Sequence, residues 1–469
     1  MPCRLLLLAA LTVSLSACQK WLGIPPKGVL QPQTTEDYDD MLNDQALASW
    51  GATDALYLTD DTYLWPENDP AGLGVNDMGG SAAGRMYTFQ EGQYYTEAEA
   101  DPYYEYAYHR IFIYNSVLDQ VQQATVSPRF APQQLYAEAL ASRAFEYLML
   151  INLYAPHHQQ ASASSSYGVP LVLKADINAA TPPRASVAAV YQQVEQDLRQ
   201  ALPNLPEAYP HQSPLRMTKV GAKAVLARCF LFQQRWQEAL EMSSEIIKER
   251  PQLHDWTANT LVNPYGFIGR SDLPRCNENE EALLLRTCGY KYGLSTSSYF
   301  PEEVLKLFDQ TNDQRYALCY SEDNFGDPLV DSNLRLYCSD LELNTGLSTA
   351  EMYLIAAECH ARLGHVPEAL ALLDALRNHR IKGNTALSAT TPEEALQLVL
   401  TERRREFYGN GAMRLIDLKR LAFDPATRKE ITHRLPGGRS TSVMPDDRRL
   451  VLPIVDKALQ FNPGLKPRS

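Results

Sequence analysis

"VLARCFLFQQRWQEAL" at residues 225–240 and "IAAECHARLGHVPEAL" at residues 355–370 align without a gap. Each holds an alanine and a cysteine at the same places in its first half, and each closes on Glu-Ala-Leu. Small residues at helical spacing let two antiparallel helices approach closely, and Gly364 suits the left-handed turn between them. "EAL" then opens the second helix. Two unrelated hairpins sharing common residues is the weaker reading, because the turn and both flanks agree. A repeated helical hairpin is therefore the unit from which the chain is built.

The second copy fits the tetratricopeptide pattern, so further hairpins should flank it. Apolar residues recur at three and four through Tyr104–Gln123, Pro132–Tyr154, Ser186–Leu202 and Thr218–Arg250. "LYAEALASRAFEYLMLINLYA" is apolar on more than one face, which predicts a helix packed between neighbours, with Phe145 and Tyr147 in the core. Capping boxes at Ser348 with Glu351, and at Thr391-Pro392 with Glu394, open two strong helices. A first helix is expected after Thr34 or Thr35. Residues 50–103, rich in Gly, Asp and Tyr, lack helical periodicity. So do residues 251–344, apart from "PEEVLKLF".

The fold expected is all-α dominated: a tetratricopeptide-like helical-repeat scaffold with long irregular loop insertions in a single globular domain. Four helix pairs are expected, over 104–154, 186–250, 349–380 and 392–422. Residues 34–250 hold the first two pairs, 251–348 form a loop-rich insertion, and 349–469 hold the last two.

At the N-terminus, Arg4 precedes the apolar run Leu5–Ala17, and Leu15-Ser16-Ala17-Cys18 follows the order leucine, two small residues, cysteine. Residues 1–17 read as a secretory signal peptide, too short for a span, which needs about 20 apolar residues. The motif resembles a bacterial lipobox, in which Cys18 becomes the acylated first residue. Ordinary cleavage after Ala17 is the alternative. Residues 18–33, with "WLGIPPKGVLQPQ", read as a Pro/Gly-rich linker tethered through that lipid.

The formal charge of −13 argues against nucleic acid or anionic lipid as a partner. Eight cysteines in 469 residues make no disulfide scaffold. Cys229 and Cys359 fall in helical patterns and read as small buried hydrophobes, while pairing among Cys276, Cys288, Cys319 and Cys338 is left open. H-E-x-x-H, G-x-S-x-G, P-loop and G-x-G-x-x-G patterns are all absent, so no enzyme activity and no cofactor is expected. Glu402, Arg403, Glu406, Arg414, Asp417 and Arg420 lie at helical spacings and read as scaffold ion pairs. His157-His158 reads as a solvent-exposed pair in a polar loop. Asp54, Asp60, Asp61, Asn76 and Asp77 are dense but lack the EF-hand order, so no metal is assigned.

Tyrosine is abundant, 26 against 13 phenylalanines. Its flat face and edge hydroxyl suit half-wet surfaces that bind sugars, peptides or proteins. Two loop stretches concentrate such residues. "YLTDDTYLWPEND" (57–69) offers Tyr57, Tyr63 and Trp65 with Asp60, Asp61 and Asn68; "YKYGLSTSSY" (290–299) offers Tyr290, Tyr292 and Tyr299. Aromatics beside acids and amides favour a sugar, with Trp65 ranked first, then Tyr63 and Tyr290.

The whole pattern resembles the SusD/RagB family, surface lipoproteins of Bacteroidetes nutrient uptake. It includes the lipobox, "IPPKGVLQPQTTEDYDDMLN", "YHRIFIYNSVLDQV", "AEALASRAFEYLMLINLYA", "YGVPLVL" and "PRASVAAVYQQVEQDL". The sequence continues with "EMYLIAAECHARLGHVPEALALLDALRNHR", "ERRREFYGNGAMRLIDLKR" and "LPIVDKALQFNPGL". Tyr104 lies where a tryptophan is common in the family, and Gln19 and Lys20 follow Cys18 instead of a clear acidic export tag. The resemblance implies a glycan-binding outer-membrane lipoprotein that faces the cell exterior and serves a SusC-like TonB-dependent transporter. The alternative is a tetratricopeptide-type lipoprotein scaffold for peptide or protein ligands.

Overall fold

In the computed structural model, the residues described are 32–49, 54–64, 80–209, 211, 213–265, 270–288, 299–324, 327–329, 335–337, 343–435, 437–462 and 464–465. The chain enters through α1, Thr35–Leu42, whose start is a capping box: the Asp37 amide donates to Thr34 Oγ1 at 3.2 Å and the Thr34 amide donates to Asp37 Oδ2 at 2.8 Å. A short α2, Ala82–Tyr87, follows. Proline at the first helical position opens both α3, Pro102–Gln120, and α4, Pro132–Tyr154, where its missing N–H costs nothing.

Helix α4 is buried over nearly its whole length, as its two apolar faces require. It lies between α3 and α5, Val187–Ala201, and Phe145 and Tyr147 are in the core as expected. Next come α6, Lys219–Phe232, and α7, Trp236–Glu249, packed on one another, and α7 packs on α8, Thr349–Arg362. Helix α8 also contacts α9, Val366–Asn378, and α10, Pro392–Glu406; α11, Gly411–Leu421, completes the array. One expectation needs correction. Residues 186–250 hold three helices instead of two, because Thr218–Arg250 is divided at 233–235 and α5 packs most extensively against α4.

That division bears out the repeat. Gln234 has φ +60° and Gly364, its counterpart, φ +84°. The Arg235 amide reaches back to the Phe230 carbonyl at 2.9 Å, and the His365 amide to the His360 carbonyl at the same distance. Both are helix ends closed by a left-handed residue.

The non-helical parts form small antiparallel units. Residues Tyr299–Phe300, Arg335–Tyr337 and Tyr320–Ser321 make a three-stranded sheet in that spatial order, and Ile431–Leu435 pairs with Arg439–Val443 from Ile431↔Val443 to Leu435↔Arg439.

The charges on α10 and α11 are structural, as their spacing predicts. Arg403 pairs with Asp417 at 2.8 Å, Arg420 with Glu358 at 2.6 Å, and Glu402 with Arg315 at 2.7 Å; Glu406 pairs with Arg380 at 2.7 Å. Arg228 binds both oxygens of Glu351 from the neighbouring hairpin. Charge-assisted guanidinium–carboxylate pairs of this kind link neighbouring helices, and removing one partner would leave a costly unpaired buried charge. Cys229 and Cys359 are buried, and burial pushes both thiols up. The side chain of Cys288, and all of Cys338, lie outside the described residues.

Candidate ligand-binding site

The turn Asp54–Leu58 begins the first tyrosine-rich stretch and is seated on the start of α11. Gly411 makes this possible: a Cβ there would come within 2.3 Å of the Leu56 backbone nitrogen. Beyond the turn, Asp60 and Asp61 run back onto the scaffold. Asp60 pairs with Arg414 at 2.8 Å and Lys429 at 3.0 Å, and Asp61 with Arg404 at 2.6 Å. Burial alone would raise the Asp60 carboxyl, but Arg414, Arg404 and Lys429 outweigh it and hold it well below the usual carboxylate range. Both carboxylates thus serve guanidinium groups more than 340 residues away, which argues against their use as sugar acceptors or calcium ligands. Asp54 lies apart and accepts from the Tyr95 hydroxyl at 2.9 Å; Asn76 and Asp77 are outside the described residues.

Fixed in this way, the chain delivers Tyr63 to Tyr299. Their backbones exchange two hydrogen bonds, 2.7 Å from Tyr63 N–H and 3.0 Å from Tyr299 N–H. One residue from each of the two aromatic stretches selected from sequence, 57–69 and 290–299, is therefore paired at this bridge. Tyr57 and Tyr299 are buried and Tyr63 is half-buried. Trp65, Asn68, Tyr290 and Tyr292 lie outside the described residues.

Beneath the three-stranded sheet is an aromatic cluster that sequence reasoning passed over. Tyr320 stacks on Tyr408 with centroids 4.5 Å apart, while Phe300 meets Tyr320 and Tyr408 edge-on at 5.3 and 5.6 Å. Such ring pairs add rigidity beyond the area they bury. On the other side, His433 lies between Tyr87 and Phe89, 4.1 and 4.4 Å away, and its ring nitrogens meet the carbonyls of Tyr87 and Thr59 at 2.7 Å each. The segment leading to Tyr63 is held from both flanks.

The expectation of a solvent-exposed His157-His158 pair is also corrected. His157 is buried, with the Phe423 ring 6.4 Å away, and burial holds its imidazole well below its ordinary pKa. Beside it, Lys419 donates to the carbonyls of Asn152 and Ala155 and ties the end of α4 to α11. His158 is half-buried, edge-on to Tyr191, at a 490 Å³ concavity on α5 whose Glu195 is already taken by Arg199 and Arg235.

A family model described as "Starch-binding associating with outer membrane" matches residues 74–231, and one described as "SusD family" matches residues 348–467. Together they span more than half of the chain, in the order expected. The chain belongs to the SusD/RagB family. Solved structures agree at the level of fold. A SusD superfamily protein from Bacteroides thetaiotaomicron superposes with a TM-score of 0.70 at 18% identity, covering 93% of this chain and 100% of that one. A SusD-like carbohydrate binding protein from Bacteroides vulgatus gives 0.67 at 19% identity, covering 92% and 97%. A SusD superfamily protein from Bacteroides fragilis gives 0.69 at 18% identity, covering 92% and 99%. No functionally curated protein matches the chain. SusD/RagB membership accounts for the helical back and for its length, and it leaves the ligand to be argued from the loops.

Proposed function

We propose that this SusD/RagB protein is a glycan-binding lipoprotein anchored through Cys18 at the exterior face of the outer membrane. It captures oligosaccharide or polysaccharide and hands it to a SusC-like TonB-dependent transporter. The observation that supports the glycan reading is the Tyr63–Tyr299 bridge, which pairs one tyrosine of each sequence-selected stretch beside an ion-paired support. Aromatic faces pack against the C–H faces of sugar rings, and a preorganised support limits the entropy lost on binding. The family model's starch-binding description and the carbohydrate-binding relative support the same class. Trp65, Tyr63 and Tyr290 are the residues proposed to contact the sugar.

Calorimetry with the strongest glycan-array ligand tests this. Trp65→Ala should weaken binding by about ten- to a hundredfold, as expected for losing a buried stacking contact of 1–3 kcal/mol, with the melting temperature nearly unchanged. Unaltered affinity in Trp65→Ala, Tyr63→Ala and Tyr290→Ala alike would move the site elsewhere.

A further inference from the structure

Three large apolar side chains near one another in sequence stand out in solvent: Leu261 is 41% exposed, Val262 63% and Tyr265 65%. They do not lie on a loose loop. Leu261 forms a bridge with Ser271, and the amides of Val262 and Asn263 both donate to the Arg270 carbonyl, at 2.8 and 3.0 Å. Asp272 accepts from the Thr260 amide and hydroxyl at 2.7 and 3.0 Å. Arg270, itself buried, donates to the Pro264 carbonyl immediately before Tyr265, and its other nitrogen donates to the Tyr320 carbonyl at 2.7 Å. One guanidinium thus ties the backbone beside Tyr265 to the outer strand of the three-stranded sheet.

That attachment defines a line across the molecule. It runs from Tyr63 to Tyr299, through Arg335–Tyr337 to Tyr320–Ser321, and then through Arg270 to the exposed trio. At about 4.8 Å per strand, the first and last strands are roughly 14 Å apart, with the trio beyond them. The proposed sugar site and the trio are thus joined through one sheet and one guanidinium.

The chemistry of the far end narrows its occupant. Residues 259–265, "NTLVNPY", carry no charged side chain. They offer one aromatic ring, two aliphatic neighbours and the exposed amide of Asn263, while the Asn259 amide is held by the His254 ring and the Asp272 carbonyl. Three side chains are far less than the roughly 800 Å² per partner that a stable protein interface buries. A ring face with an exposed amide alongside and no charge in the segment suits a neutral hydroxylated ligand. Because the backbone beside the ring is already fixed, little freedom there is lost on contact.

We propose that Leu261, Val262 and Tyr265 form an outer glycan subsite, which engages only chains long enough to extend from the Tyr63–Tyr299 edge past Tyr320. This rests on the glycan-binding reading above.

The test uses the purified full chain in native affinity gels containing starch, xylan, mannan or inulin. Calorimetry follows, with the trisaccharide and hexasaccharide of whichever polymer retards it. Tyr265→Ala should weaken polymer and hexasaccharide binding by about three- to tenfold, as for an exposed stacking contact, and leave trisaccharide affinity and melting temperature unchanged. Val262→Ser should follow it with a smaller effect. Wild-type retardation of Tyr265→Ala would overturn the subsite alone. Equal losses on short and long sugars would overturn its outer position. Intact glycan binding with loss of a copurifying membrane protein would make the trio a protein contact and overturn the proposal. A wild-type chain retarded by none of the polymers would overturn the glycan reading itself.

Discussion

Asp101 and Glu358 are both enclosed carboxylates, yet their surroundings drive them in opposite directions. For Asp101 burial dominates and raises it to about 7, against hydrogen bonds from the Tyr154 hydroxyl at 2.6 Å and the Tyr104 amide at 3.1 Å. Glu358 is equally buried, but Arg420 and Arg362 overcome burial and hold it at about 2. Linkage then gives opposite slopes. The depressed Glu358 stabilises the fold above its unfolded value of 4.5, a contribution on the order of 3 kcal/mol that disappears as pH falls from there toward 2. The raised Asp101 contributes fully below its unfolded value of 3.8, and that contribution is lost as pH rises through about 7. In melting curves from pH 2.5 to 8, Glu358→Gln should be less stable than wild type near neutrality and converge with it in acid. Asp101→Asn, where Tyr154 can reverse its hydrogen bond, should gain on wild type as pH rises. Curves parallel to wild type for both variants would remove these assignments. At this scale the sequence is only partly legible. Glu402 and Arg403 read as ion pairs from helical spacing, whereas the partners of Asp60 and Asp61 lie too far along the chain for any local signal.

Among the elements, the hairpin repeat was legible because it is local: small residues, a turn and "EAL" all lie within 16 residues. Its first copy hid the helix break because Gln234, instead of glycine, occupies the left-handed position at φ +60°. A Cβ in that conformation costs about 1 kcal/mol, partly offset by the greater unfolded-state freedom of glycine. Gln234→Gly should therefore raise stability by about 0.5 kcal/mol, and the reciprocal Gly364→Gln should lower it by about 1 kcal/mol, both measured by urea denaturation at constant slope. Destabilisation by Gln234→Gly would mean that the glutamine side chain contributes more than the turn strain. Loop geometry was less legible than the helices. The 57–69 and 290–299 stretches were recognisable by composition, but the Tyr63–Tyr299 bridge depends on Gly411 admitting the Leu56 backbone, a contact across more than 350 residues.

For the whole molecule, the proposed function gives the helical back the stiffness and the tyrosine-bearing edge the contact. Among the described residues no helix is long and apolar enough to cross a membrane, so the proposed attachment rests on Cys18. A binding protein held only by its first residue, through the 18–33 linker, can swing over a partner but cannot itself move a solute across a bilayer. Two observations should therefore go together. Cys18→Ala should lose incorporation of labelled palmitate and leave the membrane fraction, since acyl chains bind by about 0.8 kcal/mol per buried methylene and no other anchor is proposed. The native acylated protein, extracted in mild detergent, should bring a TonB-dependent barrel with it. A Cys18→Ala protein that stays labelled and membrane-bound would refute the anchor. Native protein isolated without any barrel would count against uptake while leaving glycan capture standing, because the Tyr63–Tyr299 edge is built entirely from this chain.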